Sequence, residues 1–153
     1  NKSIPRGNQI MNASEQARSL DMTSKIATTV NLFKAHFPDA KADLKPWKDD
    51  YDTRKIVDPD SIDIGFHFPG WSPRLQSRSL LVQIRFYRDI IEAELKLIGR
   101  EIIGFNHQGQ AWRLSTVADW ELEGSALPVP EIATRLKNFC RQVFELFNLQ
   151  QNE

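Results

Sequence analysis

The sequence predicts an α+β fold, an antiparallel sheet of four or five strands packed on one face by an N-terminal and a C-terminal helix. Three observations carry this reading. Apolar residues recur at helical spacing near both ends of the chain, they alternate with a period of two through its middle, and glycine- and proline-containing turns punctuate the alternating part. With 153 residues, 41% of them hydrophobic and 26% charged, the chain can bury a core of its own and reads as one domain.

The elements follow in order. Residues 1–12 contain Pro5 and Gly7 and few apolar groups, as a flexible arm would. A helical region is expected over 13–38: Ile26, Val30, Phe33 and Phe37 step by four, three and four onto one face, Thr23 or Ser24 can cap the start, and Pro38 ends it. Residues 39–60 hold seven acidic and five basic side chains and read as a charged connection. Trp47, Tyr51, Ile56 and Val57 are too apolar for a free linker, so this connection is expected to lie across the domain.

From Ser61 the period becomes two. Ile62, Ile64, Phe66 and Phe68 alternate with Asp63, Gly65 and His67, and Leu80, Val82, Ile84 and Phe86 alternate with Leu81, Gln83, Arg85 and Tyr87. Pro69-Gly70-Trp71-Ser72-Pro73 supplies turn chemistry between these two strands. Residues 89–98 fit a strand through Ile91, Ala93, Leu95 and Leu97 and a helix through Ile91, Leu95, Ile98 and Ile102. The strand is favoured, with its phase switching at a bulge near Gly99. Asn106-His107-Gln108-Gly109 marks a tight turn into a final strand over Ala111 to Thr116, so the sheet is expected to fill 61–117. Pro130 opens a helix over 130–149, in which Ile132, Leu136, Phe139, Val143 and Phe147 share a face.

Charge and motifs exclude several classes. Twenty basic residues balance twenty acidic ones, so no bulk attraction to polyanions or acidic membranes is expected. The single cysteine, Cys140, allows no internal disulfide, and no run approaches the roughly 18 apolar residues of a membrane helix, so a cytoplasmic location is expected. Neither GxSxG, HExxH, CxxC nor a glycine-rich phosphate loop occurs, and the chain is expected to be neither an enzyme nor a cofactor or metal binder. His36, His67 and His107 are far apart in sequence; Asp58, Asp60 and Asp63 lack the glycine and glutamate of a calcium loop; Glu92 and Glu94 read as a solvated strand face. Cys140 lies in the most apolar helix, where a thiol is inert.

The candidate ligand residues lie on the polar side of the sheet. With Leu80, Val82, Ile84 and Phe86 facing the core, Gln83, Arg85 and Tyr87 face away from it, joined by His67 and Arg113 from neighbouring strands and by Phe105 or His107 from the strand between. Trp71, Arg74 and Arg78 add an aromatic and basic rim. Such a face can stack bases and neutralise phosphates, although alternating polar residues on a sheet need no function at all. Cys140, Phe144 and Leu146 widen the apolar stripe of the last helix, and with Phe147 they suggest a partner or dimer contact.

Four strands followed by a long helix, over residues 61–149, resemble the repeating unit of single-stranded-DNA-binding transcriptional regulators of the Whirly family. This resemblance of topology implies strand binding and assembly of units through their helices. The sequence thus predicts a non-enzymatic binding module for single-stranded nucleic acid, lost on Arg85→Glu plus Arg113→Glu. The alternative is a protein-interaction or assembly factor without nucleic-acid affinity.

Overall fold

A computed structural model describes residues 20–46, 61–89, 94–116 and 120–151, and for 87–89, 94–98 and 148–151 the backbone alone. The expected arm over 1–12, the start of the helical region, and Trp47, Tyr51, Ile56, Val57, Asp58, Asp60 and Glu92 lie outside the described residues.

The architecture is α+β, with an open antiparallel sheet and, among the described residues, two helices. Helix α1 spans Leu20–His36. Strands β1 (Lys41–Asp43), β2 (Ser61–Ser72), β3 (Ser77–Asp89), β4 (Glu94–Asn106), β5 (Gly109–Ser115) and β6 (Leu122–Gly124) pair in chain order, and helix α2 spans Pro130–Gln151. Among the described residues the sheet therefore has six strands, more than the four or five expected. The two extra strands are three-residue edges, β1 inside the charged connection and β6 beyond the expected end of the sheet. Helix α1 begins before Thr23 and Ser24, so those residues do not cap it.

Even-numbered residues of β2 and β3 face the helices. Ile62, Ile64, Phe66, Leu80, Val82, Ile84 and Phe86 are buried with Ile102, Trp112 and Leu114 against Ile26 and Phe33 of α1 and Ile132, Leu136, Phe139, Val143 and Phe147 of α2. The Phe33 ring stacks on Phe66 at 3.9 Å and meets Phe139 edge-on at 5.2 Å, which joins both helices to the sheet. The His36 ring nitrogen Nε2 lies 2.9 Å from Gln142 Oε1, and Arg135 Nη1 donates to the His36 carbonyl at 3.4 Å, so the end of α1 is tied to α2.

Three irregularities in the ladder decide where the polar side chains of the sheet point. Between the pairs His67–Ser79 and Ser72–Ser77, β2 carries four residues where β3 carries one, so Pro69-Gly70 makes a wide bulge and the hairpin turn moves on to residues 73–76. Between Arg85–Gly99 and Phe86–Leu97 the register slips by one on β4, where the sequence placed its phase switch. As a result Arg100, opposite Ile84, lies on the helix-facing side. Between β4 and β5 the pairs Gly104–Trp112 and Phe105–Gln110 leave Ala111 as the extra residue, and the expected turn is tight, with Gly109 at φ 119°.

Candidate functional site

Odd-numbered residues of β2 and β3 form the outer face, but its centre is not an open platform. Asp63, Gln83 and Glu101 form one row across β2, β3 and β4, and all three are buried. Gln83, predicted to face a ligand, is 6% exposed. The Asp63 carboxylate accepts from Ser61 Oγ at 2.7 Å. Glu101 Oε2 accepts from Arg85 Nη1 at 3.1 Å and from Arg113 Nη2 at 2.9 Å. The two arginines expected to meet phosphates therefore share one buried carboxylate. Each charge-assisted bond favours the closed arrangement, and a phosphate would have to displace it. After β1 the chain brings Pro46 against Gly65 on this same face.

The other predicted residues divide. His67 is held between Ser79 Oγ (3.0 Å from Nδ1) and Asp43 Oδ2 (3.3 Å from Nε2), an arrangement that ties β1, β2 and β3 together. Arg74 turns away from the outer face and pairs with Glu131 in the first turn of α2, where Arg135 joins the same carboxylate at 3.1 Å. The Tyr87 side chain lies outside the described residues. Trp71, Arg78 and His107 come together. With Gly70, Ser79, Phe105 and Asn106 they line a cleft of about 640 Å³ at the hairpin end of the outer face.

Local folding explains the convergence. The Pro69-Gly70 bulge lifts Trp71 out of the ladder, leaving it 47% exposed. Beneath it, Trp112 is fully buried and its indole Nε1 donates to the Leu75 carbonyl at 2.7 Å, fixing the turn that carries Trp71. Trp71 stands on a ridge, because it also borders a second cleft of about 440 Å³ on the helix side, walled by Phe37, Phe68, Arg74, Leu75 and Ile132. Phe105 and Ser79 are cross-strand partners, which places the Phe105 ring on the same face as the cleft. Among the described residues, no carboxylate lines the outer cleft. It thus offers two aromatic rings, one guanidinium and one imidazole, a set suited to flat, electron-rich, anionic groups.

The proposed partner stripe on α2 requires correction. Cys140 is fully buried and Phe147 is 2% exposed, both in the chain's own core, because α2 packs against α1 as well as the sheet and needs the wider stripe for that. Phe144 alone of the three is exposed. Burial pushes the Cys140 thiol up to about 11, outweighing the opposing pull of Arg100 and Arg141, so it stays protonated at neutral pH.

Among the described residues no group of histidine, cysteine or acidic side chains could hold a metal ion, and no helix is long and apolar enough to cross a membrane. Residues 14–149 match the model of a family described as a domain of unknown function, and the chain belongs to that family. No curated protein and no solved structure matches it.

Proposed function

We propose that this chain is a non-enzymatic binding module that takes a short single strand of nucleic acid at the hairpin end of its outer sheet face, stacking bases on Trp71 and Phe105 while Arg78 meets the backbone. The observation that carries the reading is the cleft of about 640 Å³, which joins two aromatic rings to an arginine with no carboxylate among the described residues of its lining. A base stacks on any aromatic face, and a nearby guanidinium or imidazole adds attraction without requiring a particular sequence. The binding surface moves from the centre of the sheet, where Glu101 occupies Arg85 and Arg113, to its tip. A net charge of zero is compatible with this smaller footprint, which needs only a local positive patch. The alternative of assembly through the α2 stripe loses support, since Cys140 and Phe147 are spent in the core.

The test is anisotropy of a fluorescent oligothymidine of about ten nucleotides titrated with the protein at low salt. Trp71→Ala should weaken binding roughly 5- to 150-fold, the loss of about 1–3 kcal/mol of stacking, and Arg78→Glu should weaken it most at low salt and make its salt dependence shallower. Arg85→Gln plus Arg113→Gln, which keeps an amide donor for Glu101 at each position, should leave affinity within about threefold of the parent, since neither side chain forms the cleft. Affinity that ignores Trp71 and Arg78, or that disappears with the Arg85 and Arg113 pair, removes the reading.

A further inference from the structure

On the opposite side of the sheet the chain buries a cation that has no counter-charge among the described residues. Arg100 is 1% exposed on the helix-facing side of β4, and its Nε atom has no hydrogen-bond partner. No carboxylate among the described residues pairs with it. The Cys140 thiol interacts with it, but burial keeps that thiol protonated, so it supplies no negative charge at neutral pH. What surrounds the guanidinium is aromatic: its central carbon lies 4.9 Å from the Phe144 ring centre and 5.8 Å from that of Trp120. Burial pulls the Arg100 pKa below the ordinary arginine value, as expected for a guanidinium removed from water.

A cavity of about 340 Å³ opens at this point, lined by Arg100, Thr116, Trp120, Arg141, Phe144 and Glu145. It has the size of a small-molecule site. Arg141 stands at its mouth, with its guanidinium 5.3 Å from the Trp120 ring centre and Nη1 donating to Asn138 Oδ1 at 2.8 Å. Trp120 is held with φ at 62°, a left-handed conformation that bulky residues avoid and that recurs at ligand clamps. Glu145 is exposed at the rim and pairs with neither arginine.

We infer that this cavity binds a small organic monocarboxylate with a flat apolar body, its carboxylate on the Arg100 guanidinium and its body between Trp120 and Phe144. A carboxylate is the group whose two oxygens match the planar fork of an arginine, and the ring-lined walls favour an apolar body over a hydrated one. Cation–π contact with two rings offsets part of the cost of burying the charge, and an anion would complete the site. The inference is independent of the hairpin cleft, which lies on the other face of the sheet.

Benzoate is the probe, with benzamide as its uncharged isostere and acetate and inorganic phosphate as anions without the ring. Calorimetric titration should give one benzoate site with a Kd on the order of 1 mM or tighter, and each of the other three should bind about tenfold or more weakly. Arg100→Met should abolish benzoate binding while melting at the same temperature as the parent or higher, because an unpaired buried charge has been replaced by an apolar group of similar length. As a second readout, on the wild-type protein, benzoate should shift the Trp120 indole resonance and leave that of Trp71 in place. No saturable benzoate binding at tens of millimolar, equal binding of benzamide or phosphate, or unchanged binding to Arg100→Met overturns the inference.

Discussion

Glu101 accepts hydrogen bonds from Arg85 on β3 and Arg113 on β5, and its own side chain is only 6% exposed while theirs are 33% and 45% exposed. A buried carboxylate between two half-exposed guanidinium groups is paired on both sides, which accounts for its position in the middle of a sheet. Arg100 on the same strand has the reverse character, a buried cation whose surroundings are rings and a neutral thiol. Cys140 gives this residue-scale picture a pH signature. A thiol whose folded pKa is raised keeps its proton longer in the folded state, so its contribution is intact below pH 9.0 and is lost as pH rises toward about 11. Urea unfolding at pH values of about 8 and 10.5 should show wild type losing ~1–2 kcal/mol more than Cys140→Ala over that interval. Equal losses would mean that the thiol ionises as freely in the folded chain as in the unfolded one. That the Cys140 thiol is buried and inert was legible from the apolar helix that carries it, but that it faces the chain's own core and not a partner was not. The partners of Arg85 and Arg113 were not legible, because a period of two gives the side a residue faces and says nothing of its neighbour across the strands.

Elements long enough to repeat a pattern were readable, and short ones were not. Strands β2 to β5 and both helices each show several turns of their period, and the bulge near Gly99 announced itself as a break in phase. Strands β1 and β6 have three residues each, which gives one alternation and no statistical weight. The stretch Pro69 to Pro73 reads in sequence as the hairpin loop, yet only Pro73 belongs to the turn and Pro69-Gly70 forms the bulge that lifts Trp71, since proline and glycine mark any break in a ladder and not its kind. The β4–β5 pairing depends on Gly104, opposite Trp112: a Cβ there would come within 2.3 Å of the indole. Because Trp112 also holds Leu75 in the hairpin turn, the crowding would reach the proposed site. Gly104→Ala should destabilise the fold by about 1–3 kcal/mol in thermal or urea unfolding and should weaken oligonucleotide binding with it. Stability equal to the parent would show that the indole has room to move.

At the scale of the whole molecule, twenty positive and twenty negative residues cancel in sum but not in place. The centre of the outer face spends its arginines on Glu101, the hairpin end keeps Arg78 and His107 beside Trp71 and Phe105, and the helix side encloses Arg100. Which arginine stays available is set by register and bulges, and composition alone cannot show it. Because the four tryptophans include Trp71 at the hairpin cleft, Trp112 beneath it and Trp120 across the sheet, their indole N–H resonances report on each place separately once assigned by tryptophan-to-phenylalanine substitution. The most direct measurement of the binding claim is this spectrum recorded as unlabelled oligothymidine is added. The Trp71 resonance should move progressively with saturation while Trp120 stays fixed; a Trp71 signal that remains in place while the oligonucleotide binds would contradict the proposed site.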